Sequence, residues 1–194
     1  MARFPTLCLL VFLAAAANPA GAQTAQDFDR LLARAIELHQ AGDMLGAVDS
    51  YQAALAIFPD RADALSNLGA AYVRLGQYDD AIKQYEAALK ADGLNANIRL
   101  NLALAYYKSA RPNQAIPQLK RVVASEPEAK GAYLVLADCY LQTGQDKEVV
   151  ALLRPREQMF ERDLAYAFLL GTALLQRGDA RAGAGGSAQR RPGS

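Results

Sequence analysis

Few side chains in this sequence have the types and spacing that catalysis needs. His39 is the one histidine, so a nucleophile activated by imidazole could be assembled only around it. It falls between Leu38 and Gln40 in a stretch of helical periodicity and reads as a solvated surface residue. Metal binding asks for clustered Cys, His or carboxylates, and Cys139 lies 139 − 39 = 100 residues from His39, which makes no cluster. The paired carboxylates Asp79-Asp80 read as the first turn of a helix, where negative charge favours the positive end of the helix dipole, a structural role rather than a catalytic one. The sequence contains no phosphate-cradling glycine loop, calcium loop or haem attachment pair. It is therefore read as a non-enzyme with no cofactor and no metal.

The elements that would position any site follow from apolar spacing. Between Ala62 and Asn95, Leu65, Leu68, Gly69 and Tyr72 mark one helical stripe, and Tyr78, Ala81, Ile82, Tyr85, Ala88 and Leu89 mark another, with Gly76 between them. This spacing predicts two antiparallel helices joined by a tight turn. Steps of 34 residues repeat the small position at Ala35, Gly69, Ala103, Ala137 and Gly171, and beside it Leu38, Tyr72, Tyr106, Tyr140 and Leu174. The turn position repeats as Gly42, Gly76, Ala110, Gly144 and Gly178.

A 34-residue unit carrying Leu68-Gly69-Ala70-Ala71-Tyr72 in its first helix and Ala81-Ile82-Lys83-Gln84-Tyr85-Glu86-Ala87-Ala88 in its second resembles the tetratricopeptide repeat, or TPR. The resemblance covers roughly residues 28 to 178. It implies an all-α fold, a right-handed α-solenoid of stacked antiparallel helix pairs with about four and a half units. These run over about 28–61, 62–95, 96–129 and 130–163, with a partial unit at 164–178.

Local signals punctuate the pattern. Asp43 is placed to cap the second helix of the first unit, and Pro59, Gly93 and Pro127 stop the second helices of the first three units, Gly93 suiting the left-handed conformation common at helix ends. Pro112 fits a first helical position, whereas Pro117 should bend its helix. Pro155 breaks the second helix of the fourth unit. The fifth unit has only its first helix, from about Leu164 to Gln176, and Leu164-Ala165-Tyr166-Ala167-Phe168-Leu169-Leu170 is apolar all round, as in a helix covered on every side. That suggests further units or a partner beyond it. Residues 179–194 read as a flexible tail.

In proteins similar to this one, the first helices line a concave groove that holds an extended peptide, and the residue before the Leu-Gly pair often grips the peptide backbone. Asn67 and Asn101 take that place here, and an amide both donates and accepts hydrogen bonds. A solvated helix position explains them equally well. The other units place Ala33, Val135 and Leu169 there, so the ladder has two rungs. The positions with which some family members clamp a chaperone's terminal carboxylate hold Asp29, Asp63, Asn97 and Gly131, then Ala33, Asn67, Asn101 and Val135, so the cations of that clamp are missing. The groove implied by the resemblance offers Leu100, Leu104, Tyr107, Leu134 and Leu141, edged by Arg74 and Lys108, and suits a partly apolar extended segment.

Charge and composition limit the remaining classes. Hydrophobic residues are 52% and charged residues 21% of the chain, as in a folded protein. Residues 1–22 combine Arg3, an apolar run from Leu7 to Ala17 and Ala20-Gly21-Ala22, the layout of a secretory signal cut after Ala22. The run is shorter than the about 20 apolar residues that span a bilayer, and Cys8 lies within it, unlike a lipoprotein cysteine. After cleavage, 21 − 1 = 20 basic residues face 20 acidic ones, a balance that argues against nucleic acid or a membrane surface as partner. Cys139 is then the lone cysteine and reads as a buried small apolar residue. The sequence thus describes a periplasmic or secreted scaffold for a protein or peptide partner. Two other readings stay open: a structural subunit of a bacterial envelope assembly or transport complex, and a fragment of a multidomain TPR enzyme or sensor.

Overall fold

The computed structural model describes residues 19–188. Among them, nine α-helices follow in order: α1 Pro19–Ala41, α2 Met44–Ile57, α3 Ala62–Arg74, α4 Tyr78–Ala91, α5 Ala96–Lys108, α6 Pro112–Ser125, α7 Lys130–Gln142, α8 Asp146–Leu153 and α9 Leu164–Ala188, with a 3-10 segment at Arg154–Phe160 after α8. Helices α3, α5, α7 and α9 begin at residues 62, 96, 130 and 164, each 34 after the last. Each odd-numbered helix up to α7 packs against the even-numbered helix that follows it, and each even-numbered helix packs against the next odd one. The result is an all-α solenoid of helix pairs.

The turns show why the pairs form. Gly42, Gly76 and Gly144 have φ of +88°, +74° and +69°, and the amide of the next residue reaches back to the helix five residues earlier: Asp43 N–H to Leu38 O at 3.0 Å, Gln77 to Tyr72 at 2.9 Å and Gln145 to Tyr140 at 2.8 Å. This is the left-handed helix ending that satisfies free carbonyls, and glycine adopts it at the least cost. The third hairpin makes the same bond, Arg111 to Tyr106 at 2.9 Å, but with Ala110 at φ +58°. An L-residue in that region is strained by about 1 kcal/mol. Asp43 caps α2 through Oδ1, which accepts from the Gly46 amide at 3.0 Å.

Packing depends on the small position. Ala35, Ala103 and Ala137 are fully buried, and a Cβ added at Gly69 would stand 2.8 Å from Tyr85 Cε1 on α4. Units are joined by a recurring bond 20 residues long in sequence: Gln52 Nε2 donates to Tyr72 Oη at 2.9 Å, and Tyr106 Oη donates to Glu86 Oε1 at 2.7 Å. Burial, with Glu86 beside it, pushes the Tyr106 phenol up to about 12. Cys139 is buried, and burial with the adjacent Asp138 charge pushes its thiol up to about 11, so it behaves as a small apolar side chain.

Several expectations are corrected. The first unit begins earlier than residue 28, because α1 starts at Pro19 and runs unbroken to Ala41. Of the proposed leader, residues 1–18 lie outside the described residues. Gly93 is not left-handed: α4 ends at Ala91, and the only glycines with positive φ among the described residues are Gly42, Gly76 and Gly144. The longer linker to α5 turns without that conformation. His39 is not simply solvated; it is half-buried, edge-on to Tyr51 with ring centroids 6.2 Å apart, and burial followed by the Arg74 charge lowers its pKa. Residues 179–188 are helical rather than a flexible tail, since α9 passes through Gly178 to Ala188, where alanines favour a helix; residues 189–194 lie outside the described residues.

The fourth unit departs as Pro155 requires. Helix α8 has 8 residues against 14 in α2, α4 and α6, and the 3-10 segment swings Phe160 into the core. There Phe160 stacks on Tyr166 of α9 at 5.2 Å, while the Arg156 guanidinium lies 4.5 Å over the Tyr133 ring. Helix α6 continues through Pro117.

Replacing Gly69 by leucine should overpack the Tyr85 contact and destabilise the array by ~1–3 kcal/mol. Urea unfolding followed by circular dichroism tests this, and an unchanged midpoint would contradict the packing described.

Candidate partner-binding groove

The odd-numbered helices form the inner side of the stack. Consecutive ones, α1 with α3, α3 with α5 and α5 with α7, approach one another more closely than consecutive even-numbered helices do, so the array curves toward them. Core positions on these helices are occupied by the small and large residues that pack within and between pairs. The remaining inner positions are free to meet a ligand.

The structure distributes the residues singled out from sequence over three units. Asn67 on α3 is half-buried in an open depression of about 470 Å³ with Asp63, Ser66, Asn95 and Asn97. Asn101 occupies the equivalent place one unit on, also half-buried. Neither side-chain amide has a hydrogen-bond partner among the described residues, whereas Asn95 nearby is engaged at both ends, donating to Asp92 at 2.9 Å and accepting from the Ile98 amide at 3.2 Å. Leu100 and Tyr107 on α5 and Leu134 and Leu141 on α7 are half-buried and rest against the core, and Leu104 is half-buried between the ends of α5. Arg74 and Lys108, in the last turns of α3 and α5, are exposed and form no ion pair among the described residues. The first unit contributes none of these residues.

Two features were missed in the sequence. Asp138 on α7 accepts hydrogen bonds through Oδ2 from Tyr107 Oη at 2.6 Å and from Gln142 Nε2 at 2.8 Å. It clasps α5 to α7 across the inner side and pins the Tyr107 ring. The Asp138 bond, with burial and the same negative charge behind it, pushes the Tyr107 phenol up to about 12. In the other units the matching positions are Ile36, Ala70, Leu104 and Thr172, so periodicity alone does not single out a carboxylate there. The second feature is the Asn67 depression itself, whose wall includes Asp63. Burial raises the Asp63 pKa, but the Arg61 hydrogen bonds at 3.1 and 2.6 Å and the Ala64 amide outweigh it and hold the carboxyl below its usual range. Its charge is thus already answered within the chain.

A helical repeat protein with an open inner side is the class that this geometry defines. Two models of the tetratricopeptide repeat match the chain, one over residues 30–93 and 60–125 and the other over 100–154. The chain belongs to the tetratricopeptide repeat family. Its fold is similar to that of MamA, at 21% identity over 79% of this chain and 84% of that one with a TM-score of 0.75. It is similar also to YrrB, described as a TPR protein with an unusual peptide-binding site, at 21% identity over 82% of each chain and a TM-score of 0.74. A tetratricopeptide repeat protein from Parabacteroides merdae aligns at 21% identity over 79% of this chain and 61% of that one, with a TM-score of 0.72. Comparison with curated protein sequences finds no significant match. At these identities the structures establish the fold.

The phenols of Tyr85, Tyr106 and Tyr107 should titrate near 12 in the folded chain. Each is raised above its ordinary value of 10.0, so each contributes stability that is complete below pH 10 and is lost as pH rises through about 12. Asp138→Asn removes the charge facing Tyr107 and should bring one of the three back toward 10.0 in an ultraviolet titration. Identical curves for both proteins would remove the clasp.

Proposed function

We propose that this chain is an exported scaffold that holds an extended, partly apolar segment of a partner protein along its inner side and performs no chemistry of its own. The observation that carries the reading is the pair of half-buried, unengaged amides at Asn67 and Asn101, one unit apart, beside the apolar strip of Leu100, Leu104, Tyr107, Leu134 and Leu141. An extended peptide exposes a donor and an acceptor on each residue, and a side-chain amide can answer both. Apolar side chains of the peptide would cover the strip, while Arg74 and Lys108 at the rim would favour acidic residues at its ends. The description of YrrB as peptide-binding supports this use of the fold.

Export rests on Arg3, the apolar run Leu7–Ala17 and Ala20-Gly21-Ala22. Amino-terminal sequencing of the protein recovered from its native envelope or medium should begin at Gln23; recovery with Met1 intact would end that part of the proposal.

Peptides selected from a randomised display library should be enriched in alternating apolar residues. Each lost hydrogen bond costs ~1 kcal/mol, so the Asn67→Ala, Asn101→Ala double variant should bind them about tenfold or more weakly while unfolding at an unchanged temperature. Equal affinity for both proteins, measured by fluorescence anisotropy, would discard the groove.

A further inference from the structure

The two ends of the array meet solvent differently. At the α1 end, the positions that bury against a preceding unit elsewhere carry Arg30 and Glu37, in ion pairs with Asp27 at 3.1 Å and Arg34 at 3.9 Å. Their counterparts 34 residues on are Ala64 and Ala71, both fully buried. Among the described residues the α9 end has no such cover. Tyr166, Leu169 and Ala173 bury against the preceding unit, yet Leu164, Phe168, Leu174 and Leu175 are 86%, 69%, 45% and 72% exposed. The counterpart of Leu174 in the unit before, Tyr140, is 6% exposed. A Cβ at Gly171 would meet nothing within 4 Å, although its equivalent Gly69 is filled by Tyr85.

We propose that this face of α9 binds the same face of α9 in a second copy of the chain, forming a two-fold antiparallel dimer. Leu164, Ala167, Phe168, Gly171, Leu174 and Leu175 follow one another at helical steps of three and four, a single stripe. In an antiparallel pair centred on Gly171, residues whose numbers sum to 342 face each other. Leu164 then meets Gly178, Ala167 meets Leu175, Phe168 meets Leu174, and the two Gly171 residues cross. A leucine faces a small residue at two of these contacts, the Phe168 ring packs on the Leu174 side chain at the third, and at the crossing two glycines let the helices approach closely. Such a sequence is its own complement, as a two-fold contact requires. No charged residue occurs between Leu164 and Gln176, so nothing on the stripe repels an identical copy. The stripe from Leu164 to Leu175 spans about three helical turns, a short contact, so the dimer is expected to be reversible and concentration-dependent.

Sedimentation velocity of the purified chain between low and high micromolar concentration should show a reversible monomer–dimer equilibrium. Gly171→Leu, at a position with free space in the monomer, and Leu175→Lys, at an exposed one, should each weaken it at least tenfold with the unfolding temperature unlowered. The Asn67→Ala, Asn101→Ala variant should dimerise as the wild type does. A chain that stays monomeric throughout, a dimer indifferent to both α9 variants, or one lost with the asparagines would overturn the proposal, and the last result would move the contact to the groove.

Discussion

The whole array depends on one contact: a position on the first helix of each pair small enough to admit a bulky side chain from the second. At Gly69 even a methyl group would come within 2.8 Å of the Tyr85 ring. Close approach of the two helices leaves their outer flanks apolar, and those flanks can leave water only against the next pair. The same contact therefore fixes both the hairpin and its place in the row. The Gln52–Tyr72 and Tyr106–Glu86 bonds add direction to this packing, since each lets a tyrosine pack its ring while its hydroxyl finds a polar partner in the neighbouring unit.

Because packing is settled at those positions, the inner side is left free to vary. The first four units present Ala33, Asn67, Asn101 and Val135 at one inner position, which in α9 is the buried Leu169, while the small position stays alanine or glycine throughout. A surface can thus change its chemistry from amide to aliphatic along its length without disturbing the core. Asp138 marks the limit of that freedom. By clasping Tyr107 it commits one inner carboxylate to holding two units together, and so subtracts a charge that would otherwise face the partner.

How much of this was legible in the sequence depends on the range of each requirement. Helix starts and turns could be read because their causes are local: a small residue at a close approach, and glycine where φ is positive. Ala110 shows the strength of the period, for it accepts the strained conformation that glycine holds elsewhere. What escaped notice depends on neighbours far along the chain. Tyr107 and Asp138 are 31 residues apart and meet only once the units stack. His39 was misplaced for the same reason, since Tyr51 reaches it from the next helix. The end of α9 was misjudged because a stretch of glycine and alanine carries weak signals either way, and alanine prevailed. For the groove residues, sequence indicated positions but could not show that the amides of Asn67 and Asn101 are left unengaged.

Pro155 explains why the α9 end came to differ. By stopping α8 at Leu153, it removes the helical turns that would have carried the regular pattern onward, and the 3-10 segment compensates with a single large ring, Phe160. That ring stacks on Tyr166 and secures the side of α9 facing the array. It does not reach the opposite side, where Leu164, Phe168, Leu174 and Leu175 stay exposed. The proline thus separates two tasks that the other units perform together. Helix α9 is anchored inward by an aromatic plug, and its outward apolar stripe is left to an intermolecular contact. An array ended by charged residues, as at Arg30 and Glu37, has no comparable drive to associate. Joined through α9, two copies would hold two inner grooves in one assembly. A partner carrying two matching segments would then be retained more strongly than either groove could hold it alone.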